Sequence, residues 1–280
     1  MNKFYFLNGE ILPAADTKLH ISDLGILRGV GIFDFFRTCR GKPVFIEDYI
    51  ARFIRSAKGF NFSHPYQSDR IVEEVHRLIA LNGFTESGIK LVMTGGFSDN
   101  GFDPGDPNFI ILVDEFIPPN PEYFENGVKL ITHRHVREFP HVKSTNYLTA
   151  LMMAPRCKAL GAIDVLYHDG TCISEVSRSN FFIVKDGKVI TPGDNILMGI
   201  TRGKTLELAK KHYPVEERRV ELSEIFKADE AFITSSTKRL MPVIDIDGST
   251  IGDGRPGKTT KHLEALFNEF ERDYIDLNSR

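Results

Sequence analysis

One lysine, Lys143, sits in the stretch FPHVKSTNY (139–147), between a predicted strand and a predicted helix. A strand there fixes the direction of the amine, and a helix start crowds it. Most of the chain's 35 lysines and arginines are solvated surface charges, so Lys143 is singled out by its company. Further along come a lone carboxylate in a strand hairpin, Glu175 in SEVSRSNFFIV, a helix start suited to an anion, GITR (199–202), and a hydroxyl cluster, SST (235–237). An amine, an acid and two phosphate-type sites are the set a protein needs to hold pyridoxal 5'-phosphate as a lysine Schiff base.

The elements that would position these groups follow from hydrophobic period. KFYFLNGEIL reads as a hairpin turning at Asn8-Gly9, which supplies positive φ angles. A strand is predicted over 32–38, turning at Arg40-Gly41-Lys42. From 47 to 59, Ile50, Phe53, Ile54 and Ala57 fall on one helix face, with Arg52 off it. Ser68 is the predicted cap of a second helix that ends at Asn82-Gly83. Paired strands follow at 89–96 and 108–116. Pro118, Pro119 and Pro121 then interrupt regular structure. These breaks predict a small N-terminal α/β domain over 1–117, a linker over 118–125 and a larger strand-rich domain over 126–280. In the second domain VKLITHRHV is a strand and 147–160 a helix that Pro155 should kink or stop early. Turns at Asp169-Gly170 and Asp186-Gly187 separate further strands. Helices are predicted over 201–212 and 259–275, and strands over 230–235 and 243–246. The fold class is α+β in two domains.

At 280 residues the chain can bury a sizeable core, and its 41% hydrophobic and 26% charged content are those of a globular protein. A net charge of −3, with both signs interspersed, leaves no footprint for nucleic acid or an anionic membrane. Three cysteines without CxxC spacing read as reduced thiols of a cytoplasmic protein. No stretch approaches a membrane span and no cleavable leader is evident at the N-terminus.

GDGRPGKT (252–259) matches the phosphate-loop pattern GxxxxGK followed by Ser or Thr, between a strand and a helix. It is rejected as a nucleotide site because Pro256 lacks the N–H such a loop donates and Asp253 would set a carboxylate beside the phosphates. Too little chain follows it to supply the strand with the magnesium-binding acid. GVGIFD (29–34) lacks the third glycine of a dinucleotide fingerprint. His133 and His135 share a strand face near His141, but no acid or thiol completes a zinc set; solvated or core histidines account for them equally, and no metal is expected.

Taken in order, DLGILRGVGIFDFFR, IARFIRSA, VKSTNY, ISEVSRSNFFIV, ILMGITR and FITSSTKRLMPVIDIDG resemble the class IV (fold type IV) pyridoxal-phosphate aminotransferases nearly end to end. That family includes D-amino-acid and branched-chain aminotransferases and aminodeoxychorismate lyase. The resemblance implies that Lys143 is the Schiff-base lysine and proton carrier, and that Glu175 pairs with the pyridine nitrogen. It implies that Arg52 grips the phosphate with the N–H groups of Ile200 and Thr201 and the hydroxyls of Thr237 and Ser236, and that Tyr147 bonds the 3-oxygen. The alternative for Thr201 and Ser236 is simple helix capping or strand-end bonding, and Ser236 reads equally either way. The substrate candidates are Arg28, Phe33, Lys90 and Lys238. FSDNGFDPGD stands where Bacillus-type D-amino-acid enzymes carry Arg-x-His, so other cations must take the substrate carboxylate; Lys90 reads equally as a surface cation. The ILRG motif and the lysine after SST resemble a less typical D-amino-acid group, in which that arginine reaches the neighbouring subunit; this implies a homodimer. The implied activity is amino transfer between an amino acid, D-amino acids first, and a 2-oxo acid. Branched-chain L-amino acids stand second, with Phe33, Phe35 and Met241 as an apolar pocket, and aminodeoxychorismate lyase third.

Overall fold

The computed structural model describes residues 3–63 and 66–277. They form two compact units. The first draws on Met1–Ile117, Val142–Asn146 and Tyr274–Arg280, and the second on Pro118–His141 and Tyr147–Asp273. The cut after residue 117 coincides with the run of prolines. The rest departs from a linear division: 118–125 is part of the second unit, and Lys143 belongs to the first.

In the first unit β1 (Phe4–Leu7) and β2 (Glu10–Pro13) form the predicted hairpin, with Asn8 at φ 50° and Gly9 at φ 107°. Next come α1 (Leu24–Leu27), β3 (Gly31–Cys39), β4 (Lys42–Pro43), α2 (Ile46–Gly59), α3 (Ser68–Asn82), β5 (Ser87–Thr94) and β6 (Phe109–Glu115). Among the described residues the strands make one sheet in the order β2-β1-β6-β5-β3-β4. α2 lies over β3 and α3 over β1 and β6, so one sheet face (Ile32, Phe36, Ile89, Leu91, Ile111, Val113) is wholly buried. Three local readings are corrected. α1 was not foreseen. Ser68 is the first residue of α3, whose N-cap is Gln67 with no side-chain bond. Arg52, expected off the apolar face of α2, is itself buried, because the buried stripe runs through Ile46, Tyr49, Ile50, Arg52, Phe53, Ser56 and Ala57.

The second unit holds α4 (Glu122–Asn126), β7 (Val128–Arg134), α5 (Leu148–Ala159), β8 (Asp164–His168), β9 (Cys172–Val176), β10 (Asn180–Lys185), β11 (Lys188–Pro192), α6 (Ile200–His212), β12 (Val215–Arg218), β13 (Val220–Glu221), α7 (Leu222–Ile225), β14 (Glu230–Ser235), β15 (Arg239–Ile246) and β16 (Ser249–Thr250). α8 (Lys258–Leu277) begins in it. The sheet runs β12-β11-β10-β14-β15-β7-β8-β9-β13, with β16 on β15. Its core gathers residues such as Leu130, Leu166, Val176, Phe181, Ile233 and Val243. α5 does not stop at Pro155: it continues to Ala159, since one proline removes a single ladder bond. β15 begins four residues before its predicted start because the turn at 236–238 is tight enough to resume pairing at Arg239.

Candidate active site

The predicted site residues fall into two groups, one in each unit. In the first, the segment 142–146 docks against the open edge of β3. Lys143 carbonyl accepts the Phe33 N–H at 2.9 Å, Thr145 N–H donates to Gly31 carbonyl at 2.9 Å, and Ser144 bridges Ile32. Lys143 N–H donates to Ser56 Oγ of α2 at 3.2 Å. A lysine clamped on both sides of its Cα keeps its stem direction, as an amine that must meet one atom requires. Its Nζ lies 4.5 Å from the centroid of the Phe33 ring.

Cross-strand register places Phe33 opposite Val92 and Phe35 opposite Lys90, so Phe33, Phe35 and Lys90 share the sheet face away from α2. Gly88 leaves room for Phe35, since a Cβ there would stand 3.0 Å from the ring. Lys90 is exposed and Arg28 is exposed at the end of α1, where its guanidinium donates to the neighbouring Leu27 carbonyl at 3.2 Å. Arg52 takes the opposite face: Nε and a terminal nitrogen donate to Asp34 at 2.9 and 2.6 Å, with both side chains almost fully buried. Asp34 was missed, although a lone acid among GIFDFF, on the face alternation assigns to the core, is a readable signal for a buried cation partner.

In the second unit, Glu175 is 5% exposed on β9. Its Oε1 accepts from Arg137 at 2.8 Å, and its Oε2 from Leu197 N–H at 3.0 Å and Asn180 Nδ2 at 3.5 Å. Asn180 also donates to Leu197 carbonyl at 2.8 Å. A carboxylate whose two oxygens accept from a guanidinium and an amide N–H keeps lone pairs for a further N–H. Tyr167, on the neighbouring strand, has its phenol pushed up to about 12, first by burial and then by Asp164 and Tyr147. Tyr147 stands at the N-cap of α5.

The first turn of α6 follows Gly199, which has no side chain to cap it, so the N–H groups of Ile200 and Thr201 open toward a free helix start. Arg202, the last residue of GITR, turns inward to Pro192 carbonyl at 2.9 Å and Glu217 at 3.1 Å. The turn after β14 sets Ser235 Oγ 3.3 Å from Thr237 Oγ1, while Lys238 Nζ donates to Ser179 Oγ at 3.4 Å. Next to it, the buried Thr234 hydroxyl has no partner among the described residues. A buried carboxylate, uncapped amides and clustered hydroxyls fit a phosphate-bearing ring with an N–H. A cavity of about 520 Å³, lined by Tyr147, Leu151, Arg178, Lys238 and Met241 among others, opens beside this group. Met241 is otherwise a core residue, 1% exposed.

The phosphate-loop lookalike is filled from within. Glu230 accepts Thr259 N–H at 2.9 Å, Thr260 N–H at 2.8 Å and Thr260 Oγ1 at 2.7 Å. A protein carboxylate thus sits where that loop would hold an anion. Of the histidines, His135 packs edge-on against Tyr167, and no group of three or more metal-ligating side chains occurs among the described residues.

The amino-transferase class IV family model matches residues 31–246. The chain belongs to the class IV aminotransferases. A Methanocaldococcus jannaschii protein provisionally named a branched-chain-amino-acid aminotransferase is 32% identical, over 94% of this chain and 95% of its own. The D-alanine aminotransferase of Staphylococcus epidermidis is 29% identical over 95% and 96%. The solved branched-chain aminotransferase of Escherichia coli superposes with a TM-score of 0.89 at 26% identity, covering 96% of this chain and 94% of that one. The α+β architecture is therefore that of the class IV aminotransferases, an enzyme family dependent on pyridoxal phosphate. Arg137 and Asn180 were missed in the sequence: Arg137 is 38 residues from its partner Glu175, and Asn180, although it shares ISEVSRSNFFIV with Glu175, reads there as a strand residue.

Proposed function

We propose that this class IV aminotransferase moves an amino group from a D-amino acid to a 2-oxo acid. When bound, pyridoxal phosphate supplies the electron sink and carries the amino group between substrates. Lys143 is assigned the covalent hold on the cofactor and the transfer of the proton at substrate Cα. A free lysine, with a pKa of about 10.4, needs a partly desolvated, cationic setting for that task. Glu175 is assigned the pyridine nitrogen, Tyr147 the 3-oxygen, and Arg52, Ile200, Thr201, Ser236 and Thr237 the phosphate. Asp34 fixes the guanidinium of Arg52, so in this role the arginine acts as an oriented cation.

The observation that carries the D-amino-acid reading is Arg28, held exposed in the ILRG corner beside Ile26 and Leu27, at 58% and 43% exposure, together with Lys238 after the SST turn. Both support capture of a substrate carboxylate, with Arg28 serving a second copy of the chain in a homodimer. A branched-chain L-amino acid is the second reading, favoured by the apolar Phe33 and Phe35 on one sheet face. Three free cysteines are in keeping with a reducing, cytoplasmic setting. Among the described residues no helix is long and apolar enough to cross a membrane.

A panel of D-alanine and L-leucine, each with 2-oxoglutarate, and of aminodeoxychorismate tests the reading. Faster turnover of D-alanine is expected, whereas preference for L-leucine would replace it with the second reading. Pyruvate release from aminodeoxychorismate without amino transfer would assign the lyase instead.

A further inference from the structure

We infer that Arg137 is a positioning residue that sets the orientation and charge of Glu175; this rests on the reading that Glu175 meets the cofactor's pyridine nitrogen. Arg137 lies beyond β7 in a segment without regular structure, so its placement comes from what its guanidinium touches. One nitrogen reaches both Pro140 carbonyl, at 3.2 Å, and Glu175 Oε1, at 2.8 Å. The side chains of the pair are 18% and 7% exposed.

Three properties make this pair more than packing. First, a carboxylate this buried stays ionised only with a compensating cation, and Arg137 stands within hydrogen-bond reach of it. Second, the two oxygens are fixed separately, Oε1 by Arg137 and Oε2 by Leu197 N–H and Asn180. The carboxylate plane therefore cannot turn, and its remaining lone pairs keep one aim. Third, the same guanidinium ties down the carbonyl of Pro140, three residues before Lys143 in the chain. Loss of Arg137 would free the plane of Glu175 and favour its neutral form, which accepts an N–H poorly.

Binding of two probes to the full chain freed of cofactor separates this role from a structural one. The probes are pyridoxal phosphate and its analogue with carbon in place of the ring nitrogen. The wild-type chain should hold the first tighter by about ten-fold or more, the worth of a charge-assisted hydrogen bond. Glu175→Gln should erase most of that ratio. Arg137→Met should lower it at least about five-fold, with Arg137→Gln doing the same should the methionine variant fold poorly. Equal weakening of both probes by the Arg137 variants, leaving the ratio intact, would show a merely structural residue and overturn the inference. A wild-type chain that binds pyridoxal phosphate but does not discriminate between the probes would overturn the Glu175 reading and this inference with it. Failure of the Glu175 variant alone to change the ratio would refute the Glu175 assignment.

Discussion

At the scale of single residues, the proposed reactivity rests on two side chains held by backbone and by charge. Lys143 is clamped through its own N–H and carbonyl, so truncating its side chain leaves the clamp in place. Lys143→Ala should fold with a thermal midpoint close to wild type, lose the yellow absorbance of a lysine-bound cofactor, and lose amino transfer by several orders of magnitude. Retained transfer in that variant would refute the assignment. Tyr167 gives a pH test. Its phenol is raised from 10.0 to about 12 by burial, so the native state keeps a proton that the unfolded chain releases. The folded pKa is the higher one, and stability is therefore full below pH 10 and falls as pH rises toward 12. Tyr274, raised by burial and Glu47, adds to the same alkaline loss. Tyr167→Phe should flatten part of the decline in thermal midpoint between those pH values, and an unchanged slope would show that burial does not perturb this phenol. The sequence singles out the lysine and the acid proposed here because each stands in a distinctive motif. Arg137 was not singled out, because its ion pair with Glu175 is written in contacts between distant positions and not in spacing, whereas Asp34 left a signal in the alternation of β3.

At the scale of elements, period and turn chemistry settled most strands and helices. Asn8-Gly9 turns as its φ preference requires, and Gly83 ends α3 at φ 63°. Reading failed where a partner far along the chain decides the outcome: α2 buries Arg52 because Asp34 waits on β3, and 142–146 joins the first unit by pairing with β3. Two elements carry predictions of their own. The start of α8 is held by Glu230, whose carboxylate serves three donors. Glu230→Ala should cost about 1–2 kcal/mol by thermal or urea unfolding, as loss of a helix cap does, without creating nucleotide affinity. ATP binding by the wild-type chain in calorimetry would revive the phosphate-loop reading. At the head of α6, a Cβ on Gly199 would stand 2.1 Å from Asn180 Oδ1. Gly199→Ala should displace Asn180 from Glu175 and Leu197, lowering stability by about 1–3 kcal/mol and weakening cofactor binding together with it. A variant with wild-type stability and cofactor affinity would show that the turn yields without cost.

At the scale of the whole molecule, exposed apolar side chains ask for cover. On α5, Leu148, Leu151 and Met152 are 67%, 70% and 72% exposed, and in the first unit Ile26 and Phe102 are 58% and 79% exposed. Patches of this kind on a chain with a net charge of only −3 mark association surfaces. A second copy of the chain is the proposed cover, and a twofold pair would let each Arg28 serve its partner's Lys143. Mixed dimers decide whether it does. Chains carrying Lys143→Ala lack the proposed reactive amine, and chains carrying Arg28→Ala keep it but should bind substrate about ten-fold more weakly if Arg28 meets the carboxylate. When the two are co-expressed and the hybrid is isolated by differential tags, an arginine acting across the twofold restores one complete site: Lys143 from one copy and Arg28 from the other. Substrate KM of the hybrid should then return to the wild-type value, at roughly half the wild-type turnover per dimer. An arginine acting within its own chain would leave the hybrid with the KM of the Arg28 variant, because the only copy that retains the amine lacks the cation.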